Sequence, residues 1–220
     1  METTSLSNNR LRSGSCRDCN YLFPRFGVRA PSYRPNLNMT TPTKTRTPAV
    51  FVDRDGTIMQ DADYCSDPQE VKIFPGVPEA LRRLKSNGFK LIVITNQSGI
   101  GRGLFSIEQY RAVEAEVLRQ LGDGLIDATY FCPDVPYQHS SCRKPAPGMI
   151  LQATREHEID LSRSFFIGDK EIDAKCGRNA GVRTIRVQTG FQRETAATIA
   201  DWVAADLVEA ARIILDHANK

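Results

Sequence analysis

The 220-residue sequence predicts an α/β fold, a doubly wound parallel sheet with helices on both sides, and three observations lead there. Short apolar runs alternate with amphipathic stretches from Ala49 onward. The runs are continuously apolar, as strands buried on both faces are. Polar, potentially reactive residues follow four of these runs, and ligands on parallel sheets bind beyond the carboxyl ends of strands.

AVFVD, beginning at Ala49, is the first strand. After a loop, VPEALRRLKSNG reads as an amphipathic helix, with Gly88 a candidate for its left-handed end. KLIVITN is the second strand. SIEQYRAVEAEVLRQLG has helical apolar spacing and opens at Ser106, whose hydroxyl suits an N-cap. IDATYFC is the third strand, and PGMILQATREHEI starts a helix with proline in or near its first turn. RSFFIGD, the short helix IDAKCGRNAGV, the strand RTIRVQTG and the helix DLVEAARIILDHA complete the series. Trp202 is expected to anchor the last segment, Cys176 to pack as a small apolar residue, and His157 and His217 to lie in solvent. Cys65 is either a loop thiol or one that faces substrate.

Composition narrows the function classes. With 40% hydrophobic and 25% charged residues the chain is an ordinary globular sequence, and no apolar run approaches the ~18–20 residues that span a bilayer. No membrane function is expected. Residues 1–46 hold eight Lys and Arg against Glu2 and Asp18, a net +6, which leaves −3 for the rest. This segment has no helix or strand period and reads as a disordered basic tail before a folded domain at 47–220. It is a dispensable extension with Met39 as an alternative start, a transit peptide, or a metal site on Cys16 and Cys19. It lacks the aromatic-interleaved basic stripe of a nucleic-acid binder. No secretory leader pattern opens the chain, so the six cysteines are expected reduced and the protein cytoplasmic. A monomer is expected.

The polar residues at the strand ends suggest phosphoryl transfer. Asp53 and Asp55 stand two apart past the first strand, so both face one rim. Asp169 follows the fourth strand, with Asp173 close behind. Hard carboxylate ligands of this kind suit Mg²⁺. One carboxylate can accept a phosphoryl group while its neighbour moves the proton. Thr95 and Lys144 can hydrogen-bond and neutralise the transferring oxygens.

FVDRDGT, ITN, RKP and GDK with Asp173 resemble, in order and strand context, the four-motif signature of the haloacid dehalogenase-like phosphatases over residues 49–190. The resemblance implies a Rossmann-like sheet, Asp53 as nucleophile, Asp55 as general acid and base, and Thr95 and Lys144 as phosphoryl stabilisers. It implies Mg²⁺ on Asp53, Asp169 and the main chain of Asp55, with Asp173 in support. TNQSGIGRG, YFCP and CRKPAPGM narrow it to the heptose bisphosphate phosphatase branch, with the histidinol phosphate phosphatases as neighbours. A small phosphorylated sugar is therefore the expected substrate, losing its 7-phosphate, with histidinol phosphate or another small monoester as the alternative. Only 40 residues separate Asp55 from Thr95 and 49 separate Thr95 from Lys144, so no cap domain fits. Loops must select the substrate, and by resemblance Asn96, Gln97, Ser98 and Arg143 touch it, with Lys170 at the same rim. Both relatives carry a zinc loop, C-x-H followed by C-x-C-R-K-P. Here Asp134 stands for the histidine and Ser140 for the third cysteine. The expectation is a loop without zinc, stiffened by Pro133 and Pro136. A Zn²⁺ site made of Cys132, Asp134, His139 and Cys142 is the alternative.

Overall fold

The computed structural model describes residues 45–190 and 197–218. The expected tail lies outside them except for its last two residues, and with it Met39, Cys16 and Cys19. The strands are β1 (Ala49–Val52), β2 (Lys90–Asn96), β3 (Ala128–Cys132), β4 (Phe165–Gly168), β5 (Arg183–Val187) and β6 (Trp202–Ala204). The helices are α1 (Val77–Ser86), α2 (Ser98–Gly101), α3 (Ile107–Leu121), α4 (Gly148–His157), α5 (Glu171–Ala180) and α6 (Leu207–Ala218).

All six strands are parallel, in the order β3-β2-β1-β4-β5-β6. The chain winds outward from β1 to β3, then returns to β4 on the other side of β1. That reversal makes the crevice between β1 and β4 the place where a ligand can enter. Side chains alternate between two cores. Val50 and Val52 pack with α1, α3 and α6 through Leu81, Leu84, Val117 and Ile214. Ala49 and Phe51 pack with α4 and α5 through Met149, Ile150, Ala153 and Cys176. Each fully buried Val, Leu, Ile, Phe or Met among these contributes about 1.5–3 kcal/mol. Gly177 brings α5 against the sheet, since a Cβ there would lie 2.5 Å from the Thr184 methyl.

Helix ends follow the sequence. Ser106 and Gln109 form a reciprocal capping box on α3. Gly88, at φ +85°, stands just after the Asn87 cap of α1. No second domain interrupts the described residues. The short elements β6 and α2 were not anticipated. Trp202 does anchor the final segment, but as part of β6, with its ring 6.2 Å from Phe165 and 4.6 Å from His217. His217 is therefore half-buried rather than solvated. His157 is half-buried as well, its ring edge-on to Tyr130 at 6.4 Å, and desolvation lowers its pKa. Cys176 is fully buried, as expected of a packed residue.

Ser164 ties the start of β1 to the turn before β4. Its hydroxyl accepts from the Ala49 amide at 2.9 Å and donates to the Asp160 carbonyl at 2.5 Å, and the side chain is fully buried. Ser164→Ala leaves that amide without a partner and is expected to cost about 1–3 kcal/mol. Urea unfolding should show a lower midpoint at unchanged slope, with activity retained.

Candidate active site

A turn at the end of β1 sets the first two carboxylates. The Arg54 carbonyl accepts from the amides of Ile58 and Met59 at 2.9 and 3.1 Å, which folds the chain back under Asp53 and Asp55. The Asp53 amide donates to the Ile167 carbonyl at 2.9 Å, fixing this residue in the crevice between β1 and β4. Gly56 has φ +85°, and a Cβ there would sit 2.5 Å from an Asp169 carboxylate oxygen. Asp169 could not reach its place beside a larger residue.

Lys144 lies at the centre. Its Nζ donates to Asp53 Oδ1 at 2.6 Å and to the Ile94 carbonyl at 3.0 Å, and it is ion-paired with Asp173 Oδ1 at 2.7 Å. Asn96 holds it there: the Lys144 amide donates to Asn96 Oδ1 at 3.0 Å, and Asn96 Nδ2 donates to the Lys144 carbonyl at 3.2 Å. Asp173 also accepts from the Lys170 amide at 3.0 Å, capping α5. Asp169 is buried, and its Oδ1 has no hydrogen-bond partner.

The electrostatics follow from this crowding. Burial would lower the Lys144 pKa, but Asp173 and Asp53 outweigh it and hold the ammonium charged. Burial raises Asp53 to about 6; Lys144 opposes the shift, and Asp173 and Asp55 reinforce it. Burial raises Asp169 to about 8, with Asp53 and Asp173 adding to the effect. Oxygens of Asp53, Asp169 and Asp173 all lie within 4.8 Å of one another. An unpartnered buried oxygen, clustered hard donors and raised carboxyl pKa values together fit a divalent cation of the Mg²⁺ type.

Asp55 occupies a different environment. Burial alone would raise its pKa, but the Arg54 charge and hydrogen bonds from Arg54 and Gln97 bring it below the usual range. Arg54 grips it through Nε at 3.1 Å and Nη2 at 3.0 Å. Gln97 Nε2 donates to Asp55 Oδ2 and to Thr95 Oγ1, both at 2.8 Å, and Thr95 Oγ1 is 3.5 Å from Asp55. Behind this group Arg54 Nη1 is 3.7 Å from Glu114, which accepts from Thr129 at 2.6 Å and Tyr110 at 3.4 Å.

The expected residues therefore converge, with some changes of role. Asp55, Asn96, Gln97, Ser98, Arg143 and Lys170 line one cavity of about 260 Å³. Asn96 and Gln97, expected only as substrate contacts, also position Lys144 and Asp55. Lys170 pairs with Asp61 across the cavity at 3.1 Å. The Asp55 side chain stands outside the carboxylate cluster. Cys65 is a buried loop thiol that lines the same cavity. Arg54 and Glu114 were missed. The signal was Glu114 itself, a charge on the buried stripe of α3 between Val113 and Val117.

The Cys132–Cys142 loop gathers Cys132, Asp134 and Cys142 but leaves His139 outside the group. The sulfurs are 2.6 Å apart. Two thiolates on one tetrahedral zinc stand about 3.8 Å apart, given Zn–S distances of about 2.3 Å. Three donors, two of them this close, do not fit a closed four-ligand zinc site.

Comparison with known proteins places the chain among phosphatases. The sequence profile of a family described as HAD-hydrolase-like matches residues 141–210. The chain is 43% identical over 143 residues to a D-glycero-beta-D-manno-heptose-1,7-bisphosphate 7-phosphatase of Helicobacter pylori, covering 63% of this chain and 82% of that protein. It is 36% identical over 189 residues to a D-glycero-D-manno-heptose-1,7-bisphosphate 7-phosphatase of Thermosynechococcus vestitus, covering 77% of this chain and 96% of that one. A crystal structure of the D,D-heptose 1,7-bisphosphate phosphatase from B. bronchiseptica, complexed with magnesium and phosphate, superposes with a TM-score of 0.72. The two are 33% identical, over 78% of this chain and 99% of that one.

The raised carboxyls make a prediction with a definite sign. Asp53 and Asp169 titrate near 6 and 8 in the folded protein against 3.8 for the ordinary group. The native state thus holds more protons than the unfolded state between about pH 4 and 8, and their contribution to stability falls as pH rises through that window. A divalent cation should relieve the repulsion. Thermal melts in EDTA and in Mg²⁺ should show a larger metal-induced rise at pH 8 than at pH 5.

Proposed function

The chain belongs to the haloacid dehalogenase-like phosphatases, the family it shares with the heptose bisphosphate 7-phosphatases, and we propose that it removes the 7-phosphate of D-glycero-D-manno-heptose 1,7-bisphosphate. The observation that carries the reading is the pairing of Asp53 with Lys144 at 2.6 Å while Asp55, two residues on, is held apart by Arg54 and Gln97. Two neighbouring carboxylates in such different surroundings suit two different roles.

In the proposed reaction an Asp53 carboxylate oxygen attacks phosphorus, the bond to the sugar oxygen breaks, and Asp55 gives that oxygen a proton. Asp55 is poised below the usual range by Arg54, and the arriving phosphoryl charge opposes that pull and restores its proton. Water then attacks the aspartyl phosphate, Asp55 takes its proton, and inorganic phosphate leaves with Asp53 regenerated. Lys144 stays charged beside the phosphoryl oxygens throughout, and the Thr95 hydroxyl can donate to them. Mg²⁺, held by Asp53 and Asp169 with Asp173 in support, would supply positive charge against the phosphoryl oxygens. Arg143 faces the cavity and is proposed to grip the second phosphate. Its guanidinium is held in place through Nη1, which donates to the Asp134 carbonyl at 2.7 Å.

Phosphate release should be measured at neutral pH with Mg²⁺ on the heptose bisphosphate, histidinol phosphate and an aryl phosphate. The heptose bisphosphate should show the highest kcat/KM, and Asp53→Asn should abolish release from all three. A preference for histidinol phosphate would keep the chemistry and discard the substrate. Arg143→Ala should raise KM for the bisphosphate about 10–100-fold, the range expected for about 1.5–3 kcal/mol of charge-assisted hydrogen bonding, and leave the aryl phosphate unchanged.

A further inference from the structure

The loop that leads into Arg143 and Lys144 carries a cluster the phosphoryl site does not use. Cys132 ends β3 and Cys142 closes the loop; both side chains are buried and both sulfurs are thiols. The 2.6 Å between them is nearer to the ~2.05 Å of a disulfide than to the spacing of two ligands on one metal ion. The Ser140 hydroxyl is 3.2 Å from Cys142 and 3.6 Å from Cys132, and an Asp134 oxygen is 3.5 Å from Cys142. Neither neighbour offers the soft third and fourth donors of a structural zinc site. The loop is anchored by hydrogen bonds near both cysteines. The Cys132 carbonyl accepts from the Gln97 amide at 2.7 Å, and Ser140 Oγ accepts from the Arg143 amide at 3.0 Å.

We propose that Cys132 and Cys142 are a thiol–disulfide site that exchanges with a small-molecule disulfide of the glutathione class and closes a covalent bond across this loop. Cys142 is 4% exposed and Cys132 fully buried, so Cys142 meets the reagent first. Its thiolate attacks one reagent sulfur, forming a mixed disulfide and releasing one thiol. Cys132 then attacks the Cys142 sulfur and releases the second thiol. Two protein thiols are oxidised, one reagent disulfide is reduced, and the two protons leave on the released thiols. The bond closes the 132–142 loop, restricting the unfolded chain, and fixes the segment before Arg143. It performs the stapling role without a metal, and the inference does not depend on which phosphate ester is the substrate.

The full chain should be equilibrated with oxidised glutathione, alkylated and digested with trypsin. Residues 120–143 form one tryptic peptide with both cysteines and no internal Lys or Arg. That peptide should be recovered unalkylated and about 2 Da lighter than its dithiol form, and reduction should restore two alkylatable thiols. Cys16 and Cys19 fall in separate peptides, 13–17 and 18–25, so a bond between them would give a linked pair instead. The oxidised protein should melt at a higher temperature than the reduced one, and the difference should vanish in Cys132→Ser and in Cys142→Ser. Mapping on the unmodified chain keeps the test valid if either variant misfolds. A 120–143 peptide that is fully alkylated or carries glutathione after equilibration overturns the proposal. Stoichiometric zinc in the isolated protein, with both thiols shielded from alkylation, also overturns it.

Discussion

Three carboxylates and one ammonium lie out of water in the crevice between β1 and β4, and much of the surrounding structure follows from that. Asp53, Asp169 and Asp173 share the one buried ammonium of Lys144, so these four groups, fully ionised, carry a net −2, which the half-buried Lys170, 3.9 Å from Asp169 and shared with Asp61, offsets only in part. A buried excess of that size is relieved either by protons, hence the raised Asp53 and Asp169, or by a divalent cation of matching charge. Asn96 clasps the Lys144 backbone and the Ile94 carbonyl accepts from its ammonium, and together they hold that charge in place. Gly56, Gly168 and Gly190 line the same crevice because a Cβ at any of them would overlap Asp169 or Asp173.

Asp55 escapes this field through a second buried pair. The Arg54 guanidinium is 1% exposed and lies between Asp55 and Glu114, with the Tyr110 ring 5.4 Å from its carbon. An isolated buried guanidinium would be costly; two flanking carboxylates and an aromatic face make it stable. The result is that two aspartates separated by one residue are driven in opposite directions. As the site stands, Asp55 is held ionised by Arg54 and Gln97, whereas Asp53 depends on the Lys144 ammonium to carry its negative charge.

How much of this was legible in the sequence depends on how local each signal is. The five longer strands and the helices of ten or more residues were readable because period, caps and apolar runs are local. So was the convergence of Asp53, Thr95, Lys144 and Asp169, because every parallel strand presents its carboxyl end to the same rim. The three-residue β6 was not, since WVA next to Asp201 has neither the length nor the flanks of a strand. Its place is set by pairing with β5 and by Asp201, which accepts from the Thr184 amide at 2.7 Å. Roles that depend on contacts between distant segments were also hidden. Gln97 reads as a rim residue, yet its amide joins Asp55 to Thr95. His139 stands in a plausible ligand position by spacing, but the loop's path leaves it outside the Cys132, Asp134 and Cys142 group.

A sheet without a cap must recognise its substrate with the segments that also hold its chemistry, and this has a mechanical consequence. Arg143 and Lys144 are adjacent, so any shift of the loop that moves the first also moves the ammonium beside Asp53. Asn96 and Gln97 are likewise both cavity wall and support for the reacting groups. In the proposed reading, a contact between Arg143 and a distal part of the substrate would bear directly on the geometry at phosphorus, which is how remote binding energy raises kcat rather than only lowering KM. The same coupling explains why the 132–142 loop needs a firm anchor near Arg143. A loose loop would weaken substrate selection and blur the position of Lys144 at once, whereas a separate cap could move without disturbing the charges beneath it.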